Sequence, residues 1–291
     1  MTIANISNLA DLGAGAVGRR LFAEEVVSLS LVRRLAATLN ENPAIYAEGS
    51  ILPPGWHQIL FAPLEPTNEL GPDGHPRLGD FVPDFGLPRR LFGGRELQFH
   101  QPLHIGQKVT RETEIVSVDP KEGRSGLMMA VTVEHRLSVD GALALVERQT
   151  IIYRGNTTVE KKSQSGEAEL ETGFDWEATT TPDHPMLFRY SAVTFNAHRI
   201  HYDEDYTRDA EGYPACLTNG GLTALLMLGH ARSNGWEKIA RFSIRNLRPL
   251  FVGQPITIAG RRNPETPDVE GTLFALDRSG QVAARANVSF S

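Results

Sequence analysis

Apolar and polar positions fall along the chain in two similar blocks. Residues 108–118 are rich in β-branched side chains, 126–139 continue with Leu, Met, Val and Thr, and 142–153 follow after Asp140-Gly141. An Asp-Gly pair tolerates the positive φ of a two-residue hairpin turn, so this block predicts a three-strand meander. A second meander is predicted over 255–262, 271–276 and 281–290, with Ser279-Gly280 as its last turn. Each block follows a helical signal. Residues 28–39 show an amphipathic period, whereas 221–232 are apolar almost all round, as in a helix enclosed by a sheet.

A short repeat ties the blocks together. Pro102-Leu103-His104-Ile105-Gly106-Gln107-Lys108-Val109-Thr110 returns 147 residues later as Pro249-Leu250-Phe251-Val252-Gly253-Gln254-Pro255-Ile256-Thr257, with five of nine positions identical. Two copies of one unit is the natural inference. Residues 155–173 are polar and without period, which marks a linker, so the expected division is 1–160 and 161–291. Each unit reads as α+β, a helix followed by long antiparallel strands that wrap it. The hot-dog fold fits this description, and two copies give a tandem, or double, hot-dog.

Composition narrows the function. With 41% hydrophobic and 22% charged residues the 291-residue chain can bury a core, which excludes disorder. The net charge of −6 is spread without a basic run, so neither nucleic acid nor an anionic membrane is an expected partner. The single cysteine, Cys216, excludes an internal disulfide and a multi-cysteine metal site. No apolar run reaches the roughly 18 residues needed to span a bilayer, and residues 1–11 lack a signal-peptide pattern. A cytoplasmic protein with a small-molecule partner is expected, with a homo-oligomer possible.

The densest candidate for chemistry is Thr194-Phe195-Asn196-Ala197-His198-Arg199-Ile200-His201-Tyr202-Asp203, where two imidazoles, a guanidinium, a carboxamide and a carboxylate share ten residues. Such a segment can supply a base, a water-orienting group and an anion clamp without a cofactor. It resembles the motif of MaoC-like enoyl-thioester hydratases, roughly Gly-Asp-x-Asn-Pro-Leu-His-x-Asp with a later His-Gly at the start of the central helix. His201, Asp203 and Gly220 coincide with that pattern; Asn196 stands where Asp is usual, and Asn219 replaces the His. Leu52-Pro53-Pro54-Gly55-Trp56-His57, Asp73-Gly74-His75-Pro76 and Leu87-Pro88-Arg89-Arg90-Leu91-Phe92-Gly93-Gly94 extend the likeness to the double hot-dog branch that contains itaconyl-CoA and mesaconyl-C4-CoA hydratases and mitochondrial 3-hydroxyacyl-thioester dehydratases. In that branch an Asn at the position of Asn196 is usual.

The resemblance implies a hydro-lyase that adds water to an enoyl thioester, itaconyl-CoA or mesaconyl-C4-CoA giving citramalyl-CoA. No cofactor is implied beyond the coenzyme A of the substrate. His201 would be base and then acid, its unperturbed pKa of about 6.5 lying near working pH; the alternative is a core histidine bonded to backbone. Asn196 would position water, or else cap a turn. Asp203 would fix the His201 tautomer or sit in the first turn of a helix. Gly220 and Gly221 would offer unpaired N–H groups to the thioester oxygen, or merely punctuate a loop.

Arg199 is the expected grip on a distal carboxylate, its alternatives being solvent or the phosphates of coenzyme A. His198 and Asn219 are expected to touch substrate, and no metal is expected at His198 because no acidic triad or cysteine in sequence completes a site. Arg89 and Arg90 are expected to be solvated, the active cleft or the phosphates of coenzyme A being their alternatives; Trp56 is expected to pack in the core, an acyl tunnel being its alternative, and Cys216 to pack. The first half lacks an Asn-x-His-Arg-x-His counterpart, so one active site per chain is expected. Rival readings are a 3-hydroxyacyl-ACP or -CoA dehydratase for uncharged chains and a non-catalytic acyl-thioester-binding protein. Gly13-Ala14-Gly15-Ala16-Val17-Gly18 lacks the preceding strand of a dinucleotide site, and Asp84-Phe85-Gly86 stands without the other kinase motifs.

Overall fold

The computed structural model describes residues 6–123, 126–155 and 170–291. Helix α1 (Ile6–Ala14) precedes strand β1 (Arg20–Val26) and helix α2 (Leu29–Thr38); then come β2 (Arg89–Phe99), β3 (Lys108–Gly123), β4 (Gly126–Val139) and β5 (Ala142–Arg154). The second half runs β6 (Trp176–Thr180), α3 (His184–Val193), α4 (Glu204–Asp209), α5 (Gly220–Ser233), β7 (Ile239–Asn246), β8 (Ile256–Arg262), β9 (Glu270–Leu276) and β10 (Val282–Phe290). Both predicted meanders are present, and β3 runs five residues past its expected end. Asp140 (φ 50°) and Gly141 (φ 81°) form the left-handed turn between β4 and β5. Among the described residues no helix is long and apolar enough to cross a membrane. The boundary expected between 160 and 161, with most of the expected linker, lies outside the described residues.

Among the described residues ten strands form one antiparallel sheet in the order β1-β3-β4-β5-β2-β7-β10-β9-β8-β6. The order is mirrored about the β2–β7 pair, so each half contributes five strands with the same connectivity. The sequence repeat sits at equivalent places in the two halves, just before β3 and β8. Its glycines, Gly106 (φ 93°) and Gly253 (φ 72°), both turn through the left-handed region, and their N–H groups bond to the carbonyls of Val27 and Pro182. Leu103 and Leu250 are buried, and their carbonyls accept from the N–H groups of Leu52 and Thr218.

That equivalence aligns the segment after Leu52 with the start of α5. The halves then diverge. In the second half α5 runs fourteen residues, burying Leu222, Leu225, Leu226, Met227 and Leu228 against the sheet. In the first half the same position holds only a 3-10 turn, Trp56–Ile59, and α2 matches α3 rather than α5. The tandem α+β arrangement stands, with the long central helix confined to the second half. Trp56 packs in the core, as expected, with its ring 5.2 Å from that of Tyr46. Gly13-Gly18 spans the end of α1 and leads into β1, a helix-to-strand order opposite to that of a dinucleotide site.

Leu225 is 1% exposed and packs beside Gly55 of the first half. Truncating it to Ala is expected to cost about 2–5 kcal/mol, measured as a lower denaturant midpoint with an unchanged slope.

Candidate active site

The segment 194–203 folds as a turn built to present side chains. Asp183 caps α3 by accepting from the Met186 N–H, and the chain leaves that helix through Phe195, which takes φ 53°. Asn196 Oδ1 accepts from the His198 N–H at 3.0 Å, tightening the exit. Arg199–His201 then form a 3-10 turn, and Asp203 caps α4 by accepting from the Tyr206 N–H at 2.9 Å. Gly74 takes φ 89° and lies so close to the Ala197 carbonyl that a Cβ would overlap it, while Asp73 O accepts from the Arg199 N–H at 2.9 Å. The loop around Asp73 therefore docks on this turn and brings in groups from the first half.

His201 is 8% exposed and its Nδ1 lies 2.8 Å from the Leu217 carbonyl. A carbonyl can only accept, so Nδ1 carries the proton and Nε2 holds the lone pair. Burial, against the Leu217 hydrogen bond, lowers the His201 pKa to about 4, and the charge on His75 adds to the shift. The ring is thus neutral near pH 7. His198 is also pushed down, first by burial and then by His75 and His201. Its ring centroid lies 4.2 Å from that of His75 with the planes tilted by 51°, and His75 Nδ1 bonds Asp73 Oδ2 at 3.0 Å. Burial favours the neutral Asp73 carboxyl, but His75 brings it down to about 2. Asp73, His75 and His198 offer atoms within 4.8 Å of one another. The acidic partner that the sequence around His198 lacks is supplied from the distant loop.

Asn219 precedes α5, and Gly220 and Gly221 are its first two residues, whose N–H groups have no partner within the helix. At neither position does a Cβ fit unless a neighbouring side chain moves. At Gly220 it would lie 2.6 Å from Asn246 Nδ2; at Gly221 it would overlap the Tyr190 hydroxyl and Gln58 Oε1. Asn219 is 2% exposed, and both its amide oxygen and nitrogen are buried without a partner. These groups line a cleft of about 630 Å³ together with Asn196, His198 and His201 of the second half and Gln58, His75, Arg90, Phe92 and Arg95 of the first.

The structure thus brings together Asn196, His198, His201, Asn219, Gly220 and Gly221, but not Arg199. The Nε and Nη2 of Arg199 are committed to Asp203 Oδ2 at 3.0 and 2.7 Å, its Nη1 donates to the Pro72 carbonyl, and its guanidinium covers the Tyr206 ring. It is absent from the cleft lining, so the role expected for it as a carboxylate grip is corrected to clamping the turn. Asp203 is likewise a cap and an ion-pair partner, while the His201 tautomer is set by Leu217. Asn196 has its carbonyl oxygen engaged and keeps its amide N–H groups for a guest. Arg90 is not merely solvated: it lines the cleft and donates to the Pro76 carbonyl. Sequence reasoning gave no role to Gln58, His75, Arg95, Tyr190 or Asn246. His75 lies in a motif noted above, and Arg95 keeps the strand phase of buried Leu97.

Comparison with known proteins agrees with this architecture. The family model for hydroxyacyl-thioester dehydratase type 2 matches residues 55–252. The mesaconyl-C4-CoA hydratase of Chloroflexus aurantiacus is 38% identical over 255 residues, covering 87% of this chain and 90% of the relative. The chain belongs to the hydroxyacyl-thioester dehydratase type 2 family. As a member it is a hydro-lyase. A solved MaoC-like dehydratase superposes with a TM-score of 0.70 at 16% identity, covering 94% of this chain and 98% of that one. A Mycobacterium tuberculosis protein described as having a double hotdog fold gives 0.56 at 13% identity, covering 94% and 96%. These likenesses place this family member among tandem hot-dog folds.

The glycine requirement is testable. Gly221→Ala would favour a helix in isolation, yet here it is expected to lower stability by about 1–3 kcal/mol through overlap. The loss should shrink in a Tyr190→Phe background, which removes the clashing hydroxyl, as read from thermal melting of the double-mutant cycle.

Proposed function

We propose that the protein hydrates a short enoyl thioester of coenzyme A that carries a carboxylate, with mesaconyl-C4-CoA or itaconyl-CoA as substrate and citramalyl-CoA as product. The observation that carries the reading is a neutral imidazole, His201, with its proton fixed on Nδ1, in one cleft with the unpaired N–H groups that open α5. The name of the Chloroflexus relative supports the acyl group. The single cysteine, buried and free, fits a reducing compartment such as the cytoplasm.

In the hydration direction on mesaconyl-C4-CoA, Nε2 of His201 takes a proton from water as the water oxygen bonds to the β-carbon. The alkene electrons move through the α-carbon onto the thioester oxygen, where the N–H groups of Gly220 and Gly221 meet the developing negative charge. Asn196 donates to the water and holds it in line. The imidazolium then returns the proton to the α-carbon, and the neutral base is restored. Asn219, with two unpartnered polar atoms, bonds the substrate.

The second reading, dehydration of uncharged 3-hydroxyacyl thioesters, is favoured by the name of the matched family model. It uses the same groups in reverse and differs in the acyl end. The wild-type enzyme is expected to turn over mesaconyl-C4-CoA or itaconyl-CoA with a higher kcat/KM than crotonyl-CoA; equal or better use of crotonyl-CoA favours the second reading. His201→Ala is expected to lower kcat/KM about 10²–10⁴-fold, and full retention of activity would overturn the mechanism. Because a base must be unprotonated, activity falls as pH drops through the His201 pKa. The acid limb of kcat/KM is therefore expected near pH 4, well below the usual histidine range.

A further inference from the structure

The inner face of the first half-sheet carries polar side chains where a core would be apolar. Strand register places Thr113, His135 and Glu147 opposite one another across β3, β4 and β5, with Gln149 opposite Arg95 of β2 one step along. Glu147 is the anchor. Its Oε1 accepts from Gln149 Nε2 at 2.8 Å and lies 2.6 Å from Arg95 Nε, and its Oε2 is 2.9 Å from His57 Nε2. Burial alone would push its carboxyl up, but Arg95 and then His57 hold it well below the carboxylate range. Both Glu147 oxygens are occupied.

Arg95 has more donors than Glu147 can satisfy. It is 7% exposed, and its Nη1 is buried with no partner. Nearby, Gln58 Nε2 and Arg111 Nε are also buried and unpartnered, while Gln58 Oε1 accepts from the Tyr190 hydroxyl at 3.0 Å. Glu147 and then Glu25 offset the charge of Arg111, yet each guanidinium keeps a donor to spare, and of the two Arg95 alone also lines the catalytic cleft. Arg95, Gln58 and Arg111 open on one cavity of about 300 Å³, and none of the unpartnered buried atoms around it is an acceptor. A buried donor without a partner forfeits its hydration, so three on one small cavity call for a guest rich in acceptors. Arg95, Gln58, Gln149, Tyr190 and Asn196 line both this cavity and the catalytic cleft, so the two spaces adjoin.

We propose that Arg95, assisted by Gln58, receives a carboxylate borne on the β-carbon of the acyl group and so selects dicarboxylic over uncharged enoyl thioesters. The assignment rests on the hydration chemistry given above. Asn196 stands at the junction of the two spaces, so water held there meets the β-carbon at the mouth of the small cavity. A carboxylate on that carbon lies one bond farther in, where it offers several lone pairs to the waiting donors. An unbranched alkyl chain entering the same space would lay methylenes against Arg95, Glu147 and the unpaired amide, which disfavours it by leaving those groups without water or partner.

The test compares kcat/KM on mesaconyl-C4-CoA and crotonyl-CoA for the wild type, Arg95→Lys, Gln58→Leu and the charge-neutral double variant Arg95→Met with Glu147→Gln, each checked for folding by thermal melting. Arg95→Lys keeps a cation beside Glu147 but loses the fork, and the substrate ratio is expected to shift about 10- to 100-fold toward crotonyl-CoA. Gln58→Leu is expected to shift it in the same direction by a smaller factor. The double variant removes both charges, so its ratio is readable even if Arg95→Lys fails to fold. A wild type that prefers the dicarboxylic substrate while folded Arg95→Lys or the double variant keeps that preference overturns the assignment to Arg95 and leaves the hydratase reading standing. A wild type that prefers crotonyl-CoA overturns the dicarboxylic reading itself.

Discussion

The pairing of β2 with β7 is the constraint on which the site depends. Four registered positions, from Arg95 opposite Ile244 to Gln98 opposite Arg241, join two five-strand half-sheets into one surface. The close approach is paid for in glycine: a Cβ on Gly94 would lie 2.9 Å from the Ile244 carbonyl, and one on Gly93 would lie 3.0 Å from that of Thr150, where the β2–β5 register shifts. Once the halves are fused, Phe92 and Arg95 of β2 lie beside Asn246 at the end of β7, and Asn246 in turn abuts Gly220. No single half could assemble that lining.

Duplication has also let the halves specialise. The second half keeps the long apolar helix, whose first N–H groups open on the cleft. In the first half the equivalent segment stops after one 3-10 turn, Trp56–Ile59, which leaves room on the inner sheet face for buried charges. The shortened turn still has a use, since it carries His57 to Glu147 and Gln58 to Tyr190. Under the proposed chemistry, a half without base or oxyanion donors supplies the polar wall against which the acyl end would lie.

The sequence made the meanders legible because long strands with alternating β-branched residues and glycine turns leave a strong local signal. It also disclosed the turn from Asn196 to His201 and the glycines of α5, whose spacing is carried by one short stretch and one helix start. Strands β1, β2, β6 and β7 were missed: β1 and β6 lie at the sheet edges with no fully buried side chain, and β2 interrupts its alternation with Gly93-Gly94 and the buried Arg95. Arg199 misled because proximity in sequence to His201 said nothing about Asp203, which holds it out of the cleft. Arg95 was hidden for the opposite reason, since its ion-pair partner Glu147 is remote along the chain and meets it only across the sheet.

The hydrogen bond from His201 to the Leu217 carbonyl has a stereochemical consequence. With Nδ1 held by backbone, only Nε2 can exchange protons with the substrate, and under the proposed chemistry it must both activate the water and protonate the α-carbon. A single nitrogen edge approaches a planar alkene from one side, so hydroxyl and hydrogen are added to the same face. The partner of Nδ1 is a neutral carbonyl rather than a carboxylate, and the buried imidazolium formed midway is short of charge compensation. Under that chemistry the borrowed proton is driven onto carbon quickly, which couples the two bond-forming events before the intermediate can rotate and take the proton on its other α-face.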